Sequence, residues 1–272
     1  MINENIFVHK GFTSGVVSIT NASGITPVGR MGGKSKIAKY LIKMFPEFDT
    51  YVEPFLGAGN VFLRIPKDKL VGKETILNDI DSDMYTIFSE LKNRPKWVNE
   101  NVHRFWLTKE EFNQIKMNTD VLSLIALAKN SFYGLCKSYS PRKLDNRKGR
   151  KPNAGPTTNY ENIGQKLKNS IILNTSFEKL IQEYDNAGTF FYLDPPYEIS
   201  SENGYKDYVT PNEVYNALQG LKGKFMLSYN DSPNIRKIFA AYTIRTIDNI
   251  YMGSTTIDRR QKKELIITNY EC

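Results

Sequence analysis

The sequence is poor in the residues that build cross-links and metal centres. Its 272 residues include two cysteines, Cys136 and Cys272, and two histidines. Two cysteines give no disulfide framework and no zinc cluster, and two histidines give no His-based metal site, so no metal is expected. No stretch approaches the roughly 20 apolar residues that cross a bilayer, so no membrane partner is expected either. The first residues lack the basic-then-apolar order of a secretory signal. These absences point to the cytoplasm, or to the nucleoid within it. No internal repeat and no long low-complexity tract is present. Acids are in the minority: 29 Asp and Glu against 37 Lys and Arg leave a net charge of +8. That excess fits a polyanionic partner, and it equally fits a soluble protein that is merely basic.

What is present is ample apolar material, 40% of residues against 24% charged, enough for the core of one large α/β domain. Residues 1–26, rich in Asn, Ser, Thr and Gly, read as an N-terminal extension. From residue 34 helical and strand patterns alternate. Ile37, Leu41, Met44 and Phe45 mark one face of a helix over 34–45 that stops before Pro46. Strands are expected at 51–55, 75–77, 170–173, 189–193, 224–228, 243–247 and 264–268, with a helix over 82–91. Thr108 and Glu111 have the spacing of a capping box that opens a helix near 108–118, and 121–128 is an apolar helix. Thr210-Pro211 with Glu213, and Ser232-Pro233, read as two more helix starts. Seven strands, mostly separated by helices, predict an α/β fold: a Rossmann-like, mostly parallel seven-stranded sheet with one antiparallel hairpin at its edge. Residues 129–151 interrupt this order with eight Lys or Arg against the single acid Asp145, and Pro141, Gly149, Pro152, Gly155 and Pro156 break regular structure around them. Residues 95–168 are therefore expected to form an inserted, mainly helical subdomain, with 27–94 and 169–272 forming the domain around it.

Asp194-Pro195-Pro196-Tyr197 follows the apolar strand Thr189–Leu193, at a carboxyl end where open α/β sheets place their ligands. Two prolines fix the backbone and remove two N–H donors, so the carbonyls there only accept. A carboxylate, a rigid carbonyl and an aromatic ring side by side suit an exocyclic amino group on a flat heterocycle. Glu53-Pro54-Phe55-Leu56-Gly57-Ala58-Gly59 closes the strand at 51–55, and its glycines let the backbone approach a bound molecule closely. Asp79 ends the next strand, where an acid in a dinucleotide-type fold takes ribose hydroxyls. Asp81 and Asp83 read equally well as caps of the following helix. The segment Gly29-Arg30-Met31-Gly32-Gly33-Lys34-Ser35 has the look of a phosphate-binding loop. It has three residues where that loop needs four, and it precedes the first strand, so triphosphate hydrolysis is excluded.

Gly32-Gly33-Lys34, Glu53 to Gly59, Asn78-Asp79-Ile80-Asp81 and Asp194 to Tyr197 occur in the order that resembles Dam-type DNA adenine methyltransferases, the D12 class of the alpha group. The resemblance spans about residues 28–270. It implies a methyltransferase sheet with an inserted DNA-recognition subdomain, S-adenosylmethionine as cofactor and double-stranded DNA as partner. It also implies a monomer in solution that is able to pair on DNA. Asp194, Pro195, Pro196 and Tyr197 would hold and stack a flipped adenine. Met31, Lys34, Glu53, Pro54, Phe55, Gly57, Gly59, Asp79, Ser176, Phe177 and Asp194 would surround the cofactor. Phe177 reads equally well as a core aromatic. Phe132, Tyr133, Leu135 and Lys137 would open the DNA-reading hairpin, and Arg142, Lys143, Arg147, Lys148, Arg259 and Arg260 would meet DNA. Lys137 stands where the family usually has a guanine-reading arginine, and the residues after Leu144 depart from its pattern, which loosens the family's default target, GATC. Two further readings are open on the residues alone: transfer to the cytosine 4-amino group, and a DNA-binding homologue without activity.

Overall fold

A computed structural model describes residues 25–30, 32–102, 107–140, 158–196, 209–249 and 262–271. The strands run β1 Thr50–Glu53, β2 Glu74–Asn78, β3 Ile171–Leu173, β4 Thr189–Leu193, β5 Lys224–Asn230, β6 Thr243–Asn249 and β7 Lys262–Thr268. The helices are α1 Ala38–Lys43, α2 Ser82–Asn93, α3 Pro95–Asn101, α4 Lys109–Ile115, α5 Val121–Lys129, α6 Tyr160–Leu167, α7 Phe177–Tyr184, α8 Pro211–Leu218 and α9 Pro233–Ile238. Both capping boxes form: Thr108 accepts from the Glu111 N–H at the start of α4, and Thr210 from the Glu213 N–H at the start of α8. Ser232 caps α9. The helix expected over 34–45 is shorter. Residues 34–37 make a turn whose last bond runs from the Ala38 N–H to the Lys34 carbonyl, and the helix starts only at Ala38.

The sheet order is β3-β2-β1-β4-β5-β7-β6. β1 to β5 are parallel, and β7 runs antiparallel between β5 and β6. The antiparallel hairpin expected at the edge is therefore β6–β7, with β6 outermost. Alternate residues of each strand serve opposite faces. Tyr51, Leu77, Phe190, Tyr192 and Met226 pack on one side with α1, α2, α3, α5 and α6. Val52, Ile76, Phe191, Leu193, Phe225 and Leu227 pack on the other with α7, α8 and α9. Because β4 is covered on both faces, its Thr-Phe-Phe-Tyr-Leu reads as a continuous apolar run, and every one of its residues is buried. Removing one such ring, for example by Phe191→Ala, costs about 3–5 kcal/mol.

Helices from the segment expected as an insert join the sheet's own core: Val98, Leu124, Ile125, Tyr160, Ile163 and Leu167 belong to the same cluster as Tyr51 and Phe190. Gly164 makes this possible inside α6. A Cβ there would lie 2.2 Å from the Pro95 Cβ and 2.5 Å from the Leu91 carbonyl oxygen, so only glycine lets α6 settle against α2 and α3. Among the described residues no helix is long and apolar enough to cross a membrane.

From β1 the chain moves outward to β2 and β3, and from β4 it moves the opposite way to β5. The crevice at the carboxyl ends of β1 and β4 is thus the topological switch point of the sheet, where such folds bind ligands.

Candidate active site

The loop after β1 turns twice through left-handed backbone, at Gly57 (φ 52°) and Gly59 (φ 68°). Gly59 also packs edge-on against α2: a Cβ there would meet the Phe88 ring at 2.8 Å. Two side chains from the end of β2 hold the loop. The Asp79 Oδ2 accepts the Gly57 N–H at 2.6 Å, and its Oδ1 accepts the Asp81 N–H at 2.9 Å. Asn78, 1% exposed, donates through Nδ2 to the Pro54 and Thr175 carbonyls, both at 3.0 Å, and accepts the Thr175 N–H at 2.9 Å. One amide thereby stitches the ends of β1, β2 and β3 together. Withdrawal from water pushes the Asp79 carboxyl above its ordinary range, while the Arg30 charge and the two backbone donors partly offset this. Arg30 forms an ion pair with Asp81, the residue whose carboxylate caps α2.

Glu53, at the end of β1, is 2% exposed and accepts the Tyr51 hydroxyl at 2.6 Å. Burial is the main cause that raises its carboxyl to about 8, and the charges of Asp194 and Asp79 add to it. Asp194 follows β4, the strand paired in parallel beside β1. Its Oδ1 lies 2.7 Å from the Lys34 Nζ, and Ser228 of β5 donates to the same oxygen at 3.4 Å. Lys34 is 3% exposed and also reaches Glu264 of β7 at 3.2 Å and the Gly32 carbonyl at 3.0 Å.

Several of these groups face one cavity of about 470 Å³. Lys34, Glu53, Phe55, Gly57, Asp79, Asp194, Pro195 and Pro196 line it, as do Leu135 and Lys137 from the basic segment and Lys116 and Met117 from the turn after α4. Pro54 and Gly59 are not among its lining; they shape the loop from behind. Ser176 and Phe177 do not reach the cavity either. Ser176 is spent on capping α7, where it accepts the Lys179 N–H at 3.3 Å, and Phe177 is buried, its ring 5.2 Å from that of Phe55, which it backs. Phe132 and Tyr133 sit in a single helical turn, Phe132–Gly134, with the Phe132 side chain 55% exposed. A short hairpin frames that turn: the Phe132 N–H donates to the Ser138 carbonyl at 3.1 Å and the Ser140 N–H to the Asn130 carbonyl at 2.8 Å. Met31, Tyr197, Arg142, Lys143, Arg147, Lys148, Arg259 and Arg260 lie outside the described residues. Cys136 lines the cavity with its thiol pushed up to about 12 by burial, so it stays neutral and offers no thiolate.

Sequence reasoning missed Arg30, Glu264 and the clamp role of Asn78. Arg30 sits inside the segment that mimics a phosphate loop. Glu264 is an acid directly before the apolar run Leu265-Ile266-Ile267, and an acid buried beside such a run is a signal of a partner.

S-adenosylmethionine, a nucleoside joined to a cationic sulfonium amino acid, fits these residues. The volume is that of a small-molecule pocket. Phe55, Leu56, Val61 and Val209 supply apolar wall, and the Glu53, Asp79 and Asp194 carboxyls crowd together, with Glu53 and Asp79 held above their ordinary range, so a cation bound there favours their charged forms.

Residues 31–252 match the family described as D12 class N6 adenine-specific DNA methyltransferase. A type II methyltransferase of Lactococcus lactis subsp. cremoris is 26% identical, over 88% of this chain and 93% of its own. One from Methanocaldococcus jannaschii is 26% identical over 88% and 96%. The DNA adenine methylase of Escherichia coli is 28% identical over 61% and 62%. With most of its length matched by that family, and with the family's acids and glycines converging on one cavity at the switch point of the sheet, the chain belongs to the D12 class of S-adenosylmethionine-dependent, N6 adenine-specific DNA methyltransferases.

Proposed function

We propose that the cavity between Gly57, Asp79 and Asp194 receives both the cofactor and an adenine extruded from duplex DNA, and that the methyl group passes there to the adenine 6-amino nitrogen. The observation that carries this reading is that Asp194, at the end of β4, faces the same cavity as the glycine loop of β1 and the acid of β2. The Gly57 turn, Glu53 and Asp79 would hold the cofactor, which supplies an electrophilic methyl on sulfur when bound. Everything else falls to the chain's own groups.

The amino lone pair of adenine is delocalised into the ring and is a poor nucleophile. Asp194 and the Pro195 carbonyl accept the two amino hydrogens, which favours a pyramidal nitrogen with its lone pair directed forward. Positioning and fixed electrostatics then supply most of the rate gain. The Asp194 carboxylate is the base placed to take the proton that the methylated nitrogen sheds. Tyr197 completes the Asp-Pro-Pro-Tyr sequence and stacks on the base. Extrusion costs a few kcal/mol, and contacts from the protein offset it. Phe132, exposed three residues before the cavity-lining Leu135, fills the gap left in the duplex. Lys137, also exposed, reaches base-edge acceptors or phosphate from the cavity's lining.

The test is Asp194→Asn, with Asp194→Ala beside it. Transfer of labelled methyl to polymerase-amplified genomic DNA is expected to fall by at least about 10²–10³-fold, as for loss of a preorganised electrostatic partner, while calorimetric binding of S-adenosylmethionine survives. Undiminished turnover removes Asp194 from the chemistry.

A further inference from the structure

One carboxylate reaches the site from the far end of the chain. Glu264 lies on β7, opposite Asn230 of β5 and Ile247 of β6, and is 3% exposed. It stands 3.2 Å from the Lys34 ammonium, which is 2.7 Å from Asp194 and 3.0 Å from the Gly32 carbonyl. An ammonium has three hydrogens, and here three acceptors of different strands and loops meet it. The lysine backbone is fixed as well, since its carbonyl accepts the Ile37 and Ala38 N–H groups at 3.0 and 2.8 Å. The antiparallel placement of β7 beside β5 is what delivers Glu264 to this point.

We propose that Glu264 is a positioning residue for methyl transfer, acting through Lys34: it shares the ammonium so that Lys34 orients Asp194 without taking over that carboxylate's full charge. This rests on the reading of Asp194 as acceptor of the target amino group. With two anions on one cation, the Asp194–Lys34–Glu264 set keeps a net negative charge at the position where the amino nitrogen becomes positive. With Glu264 neutral, the ammonium turns wholly on Asp194, and the carboxylate becomes a weaker acceptor and a weaker base. Glu53, Asp79 and Tyr192 also face Asp194, from the ends of β1 and β2 and from β4. These residues are present in every protein compared, and Tyr192, which also feels the Glu264 charge, is held too high by burial to ionise across the profile, so the shift reports Glu264 acting on Lys34 and Asp194.

The experiment compares wild type with Glu264→Gln and Glu264→Asp in the full chain, using labelled S-adenosylmethionine and polymerase-amplified genomic DNA. For Glu264→Gln the expected result is a kcat lowered about tenfold or more, the scale of lost supporting partners, with S-adenosylmethionine affinity measured by calorimetry within about twofold of wild type. Both limbs of the kcat–pH profile are expected to move to lower pH, because removing a negative charge favours the deprotonated forms of Asp194 and Lys34. Glu264→Asp keeps the charge and is expected to recover part of the rate on an unshifted profile. A merely structural role would lower stability and cofactor affinity together and leave the profile in place, and that result overturns the proposal. Wild-type kcat and profile in Glu264→Gln overturn it too. Should Glu264→Gln not fold, Glu264→Asp carries the test: a kcat loss of about threefold or more at unchanged cofactor affinity supports the proposal, and wild-type kcat overturns it. Asp194→Asn separates the two levels. If it retains turnover, the reading of Asp194 fails; if it is inactive while Glu264→Gln matches wild type, only the role of Glu264 fails.

Discussion

Replacing Glu53 with glutamine is expected to stabilise the ligand-free protein, and by more as the pH rises. Glu53 closes β1 almost fully buried, and burial, with Asp194 and Asp79 adding like charge, lifts its carboxyl from 4.5 to about 8 against the opposing pull of the Tyr51 hydroxyl and the Phe62 N–H. The sign follows from proton counting. Between those two values the folded state keeps a proton that the unfolded chain has given up, so stability falls as pH climbs through the window and levels off above it. Each unit is about 1.4 kcal/mol, so the step from pH 5 to pH 7 costs the wild type about 2–3 kcal/mol through this one group. Glutamine has the same shape, accepts the Tyr51 hydroxyl and carries no charge, so its variant lacks this slope. Denaturant unfolding of both proteins without cofactor, at pH 5, 6, 7 and 8, reads the difference directly. It is expected to widen by about 2–3 kcal/mol between pH 5 and pH 7. Parallel curves would refute the reasoning that Glu53 is a buried acid held against its own solvation. The cost has a use: a buried acid held above its ordinary range gains from a cation placed beside it, so Glu53→Gln is expected to bind S-adenosylmethionine more weakly while standing up better to denaturant.

Three further outcomes are expected. Asp79→Asn loses the charged acceptor that holds the Gly57 N–H at 2.6 Å; calorimetry is expected to show cofactor affinity lowered about 10–100-fold, the equivalent of one hydrogen bond to a charged group. Gly59→Ala forces left-handed backbone on an L residue and drives a Cβ to 2.8 Å from the buried Phe88 ring; thermal unfolding is expected to report a loss of about 2–4 kcal/mol. Phe132→Ala trims an exposed ring; stability is expected to change by under about 0.5 kcal/mol, while DNA carrying 2-aminopurine at the target adenine shows a weaker fluorescence rise on binding.

Local chemistry made much of this architecture legible. The strand Thr189–Leu193 was readable to the residue because both its faces are buried, leaving Thr189 and four large apolar or aromatic side chains between Gly188 and Asp194. Thr108 with Glu111, Thr210 with Glu213, and Ser232 announced three helix starts because capping is a contact between near neighbours. Residues whose role depends on distant partners were harder. α6 carries Gly164 in its interior, which weakens a helical reading, yet the glycine is there so that Pro95 and the Leu91 carbonyl can approach. α3 buries a single valine, Val98, and leaves little pattern to detect. Ser176 and Phe177 fell at a suggestive place after β3, but the structure spends one on a cap and the other on the core behind Phe55. The cluster of Lys34, Asp194 and Glu264 joins positions 230 residues apart at its extremes (264 less 34), and no spacing rule reaches across a sheet whose last strand inserts beside β5.

The most direct test is nucleoside analysis of DNA from cells without adenine methylation of their own, expressing either the wild-type chain or Asp194→Asn. N6-methyladenine in the first and none above background in the second is the outcome predicted for an extruded adenine held by that carboxylate. Methylcytosine in place of methyladenine, or equal methyladenine from both proteins, would contradict it.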